Sequence, residues 1–455
     1  MRYKNLNYLP MKNCIIIISL LFLACNSNSQ NIYTFAGTGN FGYSGDGGSA
    51  LLADITAPTG IVTDKKGNVY FCEWYYGLIK KVDTNGIITT IAGGAVANLS
   101  DSIAATGALV RHPWGLTIDS IGNLYFAEAQ YNQVRKIDTT GIITTIAGVA
   151  YQVYQGQGYY SGDGGPAKNA QLYAPSDVAI DKYGNVYIAD ASNHRIRKVD
   201  ASGIITTIAG STIGFSGDGG LAINAKFNYP LGVAVDQNNN IYIGDAQNHR
   251  IRKIDNTGMI STIVGTGVQG NSGDGGPANL AAMGSTRGLE VDSIGNLFFA
   301  DRDYGVVRRV NLNGIITNVA GIGIGGGYSG DGGPATLANL YSPIDVTFDK
   351  TGNLYISDNL RVRIVCYNSC ATNVNEFNNK TEIKIYPNPA TNTLQISDEN
   401  NAFQNSTIQI KNYLGQVVFT TPFTSQINLQ NLTAGLYFLT IQDKSSSKTV
   451  KFIKQ

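Results

Sequence analysis

Short apolar runs rich in isoleucine, valine and threonine alternate with glycine-marked breaks along most of this 455-residue chain. β-Branched residues held between glycines predict a short strand with a turn at each end. The clearest run is Gly86-Ile-Ile-Thr-Thr-Ile-Ala-Gly93. It returns unchanged at 141–148 and 203–210, and in looser form at 258–265 and 314–321. The five starts are 55, 62, 55 and 56 residues apart. Self-similarity at that period predicts stacked supersecondary units, as in a solenoid or a propeller.

Each unit holds four strand-like runs. In the third they are Asp177-Val-Ala-Ile-Asp181, Asn185-Val-Tyr-Ile-Ala-Asp190, Arg195-Ile-Arg-Lys-Val-Asp200 and Ile204-Ile-Thr-Thr-Ile-Ala209. Lys182-Tyr-Gly-Asn185 and Ala201-Ser-Gly203 supply the glycine and asparagine that tight turns need. Four short antiparallel strands with regular turns make one propeller blade. The second-strand run occurs six times, beginning with Gly67-Asn-Val-Tyr-Phe71 and ending with Gly352-Asn-Leu-Tyr-Ile356. The sixth unit stops at Cys370 without a fourth strand. A partial copy at the front, Asn31-Ile-Tyr-Thr-Phe-Ala-Gly37, supplies it. The expectation is an all-β, six-bladed ring closed by first and last segments sharing one blade, which removes the open edges.

Strand order then sorts the loops. Fourth-to-first and second-to-third connections emerge on one face, short glycine turns on the other. The loop face receives a Ser-Gly-Asp-Gly-Gly segment at 44–48, 161–165, 216–220, 272–276 and 329–333, and the shorter loops at 190–195 and 245–250.

Composition agrees with a turn-rich all-β chain: 54 glycines and only 14% charged residues. A formal charge of +1 without a basic run excludes a nucleic-acid partner, because phosphate binding needs a basic footprint. Lys12 followed by the apolar stretch 15–24 reads as a signal peptide over 1–29, too short to span a bilayer comfortably. Cleavage before Gln30 is expected. The rival reading is lipidation at Cys25, in the poor lipobox Phe22-Leu-Ala-Cys25. No transmembrane helix is expected in the mature chain. Cys72 reads as a buried strand thiol, and Cys366 with Cys370 as a candidate local pair.

The runs Pro230-Leu-Gly-Val-Ala-Val-Asp236, Asn193-His-Arg-Ile-Arg-Lys-Val-Asp200 and Asn248-His-Arg-Ile-Arg-Lys-Ile-Asp255 resemble the NHL repeat family over 31–370. The resemblance implies a propeller. It says little of function, since propellers of this kind include lyases, lactonase-like relatives and plain binding modules. Composition changes at 371–382, a polar linker. Residues 383–455 resemble the type A C-terminal sorting domain of type IX secretion substrates. The marks are Tyr386, Pro387, Asn388 and Pro389, then Gly435, and a basic last strand with Lys451 and Lys454. That resemblance implies the type IX secretion machinery as partner and a secreted or cell-surface destination. A carbohydrate-binding or adhesive β-sandwich is the alternative for this segment.

The chemistry is sparse. His194 and His249 fit loop packing within the repeat. His112 alone lies near the axis, which argues against a three-histidine zinc site. The recurring Asp46, Asp163, Asp218, Asp274 and Asp331 read first as a structural device, because an active site occurs once and a scaffold feature once per blade. Calcium is the rival, for which one carboxylate per loop is few. Asp177 and Asp345 replace Gly60, Gly115, Gly232 and Gly288 at the first-strand mouths and are further calcium candidates. No other cofactor is expected. Blade two lacks the glycine-rich loop and carries Asn98-Leu-Ser-Asp-Ser-Ile-Ala-Ala105 instead. A ligand site is therefore expected over blades one and two, from Trp74, Tyr75, Tyr76, Arg111, His112, Trp114 and Tyr131. Exposed aromatic faces suit sugar rings and peptides. The leading reading is an exported, non-enzymatic module binding a glycan, peptide or protein. The alternative is an extracellular lyase or lactonase-like hydrolase with a metal in the central channel.

Overall fold

The computed structural model describes residues 30–95, 101–150, 160–323, 326–367, 384–397, 406–412, 416–442 and 447–455. The signal segment, the linker, Cys370 and Gly415 lie outside the described residues. Two compact units divide the chain, Met1–Ser369 and Cys370–Gln455.

The first unit is a ring of six antiparallel sheets. In blade three the strands are Asp177–Ile180, Val186–Asp190, Arg195–Val199 and Ile205–Ala209, in that spatial order. The turn between the first two explains the recurring Gly-Asn-x-Tyr phrase. Asp181 Oδ1 accepts from the amides of Tyr183 and Asn185, both at 2.9 Å. Its Oδ2 accepts from Asn185 Nδ2 and Tyr187 Oη. One carboxylate thus folds a hairpin by local bonds.

Blade six closes as the pattern predicts. Asn31–Ala36 forms its outer strand, antiparallel to Arg361–Cys366, with Asn31 opposite Cys366 and Ile32 opposite Val365. Ile32 is fully buried against residues of blades five and six. Cys366 is disulfide-bonded, and Cys72 is a buried free thiol.

The core lies between blades. A one-turn 3-10 helix precedes each inner strand, at Ala50–Leu52 before blade one and Ala167–Asn169 before blade three. Its small alanines, such as Ala50 with Ala53 and Ala167 with Ala170, are buried. Only a side chain this small lets two sheets approach so closely. Ala50 donates its N–H to Gly86 O at 2.8 Å and accepts from Gly37 N at 2.9 Å. One residue therefore stitches blade six to blade one.

Each third strand also buries a cation. Arg135, Arg197, Arg252, Arg308 and Arg363 are fully buried, and Lys80 nearly so. Desolvating such a charge alone costs several kcal/mol. A loop aspartate answers it in every blade. Lys80 meets Asp46 at 2.7 Å, Arg197 meets Asp163 at 2.8 Å and Arg252 meets Asp218 at 2.7 Å. Arg308 meets Asp274 at 3.0 Å and Arg363 meets Asp331 at 2.6 Å. Blade two departs from the sequence reading here. Its substitute loop keeps the same carboxylate, Asp101, 3.2 Å from Arg135. An acid at the end of the second strand faces the cation from the other side, as Asp190 does for Arg197 at 3.3 Å. Burial pushes Asp190 and Asp245 up to about 6, against the pull of their arginines.

The second unit is a sandwich. A three-stranded sheet holds Lys384–Tyr386, Thr393–Ser397 and Gln426–Asn428. A four-stranded sheet runs Val417–Pro422, Thr407–Asn412, Gly435–Gln442 and Ser447–Lys454. Leu394, Ile408, Leu439 and Phe452 share its core. The Tyr-Pro-Asn-Pro motif docks on the last strand. Asn388 Oδ1 accepts from Ile453 N at 3.0 Å, and Ala390 N donates to Ile453 O at 2.8 Å. Gly435 stands opposite Lys454, and Phe438 opposite Lys451.

Candidate functional site

The inner strands line a central channel that is pinched near the loop face. The neck is formed by residues including Gly60, Trp114, Asp177, Arg287 and Asp345, and its free space is about 10 Å³. The pinch has a local cause. Trp114 in blade two and Arg287 in blade five hold corresponding positions on their inner strands, Pro113–Ile118 and Thr286–Val291. Three blades apart, they face each other, and the guanidinium lies over the indole, 4.1 Å from its centre. On the other side of the neck the channel widens to a cavity of about 250 Å³, lined by the inner strands with Asp177, Glu290 and Asp345.

Asp177 and Asp345 replace glycine because they bridge neighbouring blades. Asp177 Oδ1 accepts from Val178 N and Oδ2 from Val233 N, both at 2.8 Å. Asp345 Oδ1 accepts from Val346 N at 2.8 Å and Oδ2 from Ile61 N at 2.9 Å. Their neighbours on the other side must be glycine: a Cβ on Gly115 would meet Asp177 Oδ1 at 1.9 Å, and one on Gly288 would meet Asp345 Oδ1 at 2.0 Å. Burial raises both carboxyls, Asp345 to about 7, and the charge of Asp345 raises Asp177 further. Burial likewise raises Glu290 to about 8. Among the described residues no three histidine, cysteine or acidic side chains are grouped to hold a metal ion. The loop aspartates at 46, 163, 218, 274 and 331 are engaged with their buried cations.

Outside the neck, aromatic side chains form a deck across blade one. Trp74, Tyr75 and Tyr76 occupy its second-to-third loop, between Val69–Glu73 and Leu78–Val82. Trp74 stacks on His112, centres 4.3 Å apart and planes 22° apart, and reaches Trp114 at 5.8 Å. His112 is placed for this by a left-handed backbone, φ 48°, just before Pro113. Burial and the adjoining Arg111 lower its pKa, which favours the neutral imidazole in the stack. Towards the rim, Phe41 meets Tyr75 edge-on at 4.9 Å, and Tyr43 meets Tyr76 at 4.5 Å. Phe41, Tyr43 and Tyr75 are each more than half exposed. An apolar patch this exposed on a rigid scaffold marks an interaction surface more often than a packing need.

Six of the seven sequence-picked residues converge here: Trp74, Tyr75, Tyr76, His112 and Trp114 in the deck, with exposed Arg111 beside it. Arg111 is anchored by its amide, which donates to Glu128 Oε1 at 2.7 Å. Tyr131 is the correction. It is buried, 8% exposed, and does not join the exposed aromatic group. Sequence reasoning missed Phe41, Tyr43, Arg287 and Glu290. A signal for Arg287 existed: blade five begins its inner strand with Thr286 where the other blades have proline or, in blade three, Asp177 after Pro175-Ser176.

Comparison with known proteins places both units. The Teneurin NHL domain family model matches residues 24–101, 147–216 and 212–270. The secretion system C-terminal sorting domain model matches residues 384–455. Teneurin-1 of Homo sapiens is 27% identical over 366 residues, covering 72% of this chain and 13% of that protein. Protein SUPPRESSOR OF QUENCHING 1, chloroplastic, of Arabidopsis thaliana is 27% identical over 282 residues, 58% of this chain and 26% of that protein. The chain thus spans a small part of the curated relatives it matches. A protein of unknown function from Bacteroides thetaiotaomicron aligns with TM-score 0.54 and 18% identity, over 74% of this chain and 75% of that one. An auxiliary nutrient binding protein from Bacteroides ovatus aligns with TM-score 0.53 and 15% identity, over 74% and 77%. These structures share the fold.

Proposed function

For this chain, an NHL-repeat six-bladed β-propeller joined to a type IX secretion C-terminal sorting domain, we propose the role of an extracellular binding module. The sorting domain marks the protein for export and a secreted or cell-surface destination. Binding is taken to occur on the loop face of blade one. The observation that carries this reading is the aromatic deck, with Trp74 stacked on His112 and Phe41, Tyr43 and Tyr75 open to solvent. Flat faces with polar edges, held on a scaffold, contact a ring or a peptide at low entropic cost. The Bacteroides ovatus protein of like fold is described as an auxiliary nutrient binding protein, which is compatible with a propeller serving capture.

The experiment is a glycan and peptide array probed with the exported chain, with elemental analysis of the same sample. Array hits should lose at least about tenfold affinity in Trp74→Ala or Tyr75→Ala, the loss of one well-packed aromatic contact. Undiminished binding in both variants would remove the deck as the site. Stoichiometric zinc together with turnover of a lactone would favour the hydrolase reading instead.

A further inference from the structure

Arg287 is partly buried at the neck, and among the described residues it has no acidic partner. Among the described residues its guanidinium makes no hydrogen bond or ion pair, and its Nε is enclosed with none. The contrast with the third-strand arginines is sharp, since each of those meets a loop aspartate. The carboxylates nearest Arg287 are spoken for. Asp303 Oδ2 accepts from Ser285 N at 2.9 Å. Asp177 and Asp345 turn their oxygens onto backbone amides. Exposed Arg302 adds positive charge beside it, and burial with that charge lowers Arg287 to about 10. A guanidinium stacked on an indole keeps its N–H edge free in the ring plane, which is the edge that grips a carboxylate.

The neck sets the size of what can enter. Free space of about 10 Å³ is close to one water-sized sphere, so it takes a small substituent and no ring. The ring must stay outside, where Trp74 lies 5.8 Å from Trp114. Among the described residues Trp74 Nε1 is a second enclosed donor without a partner. An aromatic platform, an unpaired cation beyond it and an opening that admits only a small substituent point to one ligand chemistry.

We propose that the ligand is an acidic carbohydrate of the hexuronate class, its ring on the Trp74 platform and its carboxylate held by Arg287 at the neck. This rests on the deck being the binding site. The bound carboxylate completes the ion pair that blade five leaves open. Arg111, on the adjoining mouth, adds attraction at longer range.

The test uses the full chain in titration calorimetry with two probes, an oligogalacturonate and its carboxyl-reduced counterpart. The acid form should bind about tenfold or more tightly, as a charge-assisted bond implies. Arg287→Gln should erase that preference and Arg287→Lys should keep only part of it, because the fork and the stack are lost. Trp74→Ala should weaken both probes alike. Equal affinity for the two probes, or an intact preference in Arg287→Gln, overturns the inference. So does failure of both probes while the array still yields deck-dependent peptide or neutral-glycan hits, an outcome that leaves the broader binding reading standing. Circular dichroism of each variant separates these results from misfolding.

Discussion

Among the described residues, Lys80 and Glu73 are both buried at the anchor of blade one yet form no ion pair with each other, as is also true of Arg308 and Asp301 in blade five. Lys80 stands where the other five blades carry arginine. Its Nζ reaches Asp46 at 2.7 Å, while Glu73 Oε2 is buried with no partner. A point charge cannot fork to two acids as a guanidinium does. Burial raises Glu73 to about 7, as it raises Glu128, Asp301 and Asp358 in the blades that carry arginine.

Lys80→Arg should therefore stabilise the propeller, by about 1 kcal/mol for one added charge-assisted bond. Arg197→Met should do the reverse by about 3–5 kcal/mol, leaving Asp163 and Asp190 without their cation. Urea denaturation of the purified chain checks both. A less stable Lys80→Arg would mean that blade one is shaped for lysine.

Removal of Asn31–Ala36 should strip blade six of its outer strand and bare the edge of Arg361–Cys366. The loss of Ile32 burial and one ladder of bonds is worth at least about 3 kcal/mol. Ile32→Asp should act in the same direction without shortening the chain. Unchanged melting of the truncated protein would contradict closure by this strand.

Stability should fall as pH rises from about 5 to 8. Asp345 and Glu290 are raised to about 7 and about 8. In that range the folded chain holds protons that the unfolded chain, with carboxyls near 4, has released. Their favourable contribution is complete below pH ~4 and is lost as pH climbs through the folded values. Each proton accounts for up to about 1.4 kcal/mol per pH unit. Glu290→Gln should flatten the slope in a pH series of thermal melts; an identical slope would acquit Glu290.

Cutting away residues 384–455 should leave a folded propeller held in the periplasm if, as the match to a secretion system C-terminal sorting domain implies, export is read from that domain. Cell fractionation reads the result directly. Appearance of the truncated chain outside the cell would show that export is directed from elsewhere.

Blade number, closure and the two faces were legible because glycine turns and β-branched runs are local and repeat six times. The aromatic group was legible as a departure from the repeat. Arg287 was not, since it stands at a strand position that varies from Thr59 to Trp114 to Leu231, and only the ring brings it opposite Trp114. Asp101 was overlooked for the opposite reason. Its loop lost the glycine spelling yet kept the spacing: in blades one to five the loop aspartate precedes its cation by 34 residues. Tyr131 holds the place in blade two's loop that corresponds to the Trp74 loop of blade one, and loop position alone does not decide how far a ring is buried.

Pairing Asn31 with Cys366 also imposes an order of events. The strand nearest the front of the chain emerges early and must wait for a partner that emerges more than 300 residues later. Until then its unpaired edge is open to any extended segment it meets, including another copy of itself. Contacts so distant along the chain form slowly. Blades one to five can be complete while the ring is still a horseshoe, so the interval before the final strand docks is when this protein is exposed to proteases and to exchange of its first strand with a neighbour.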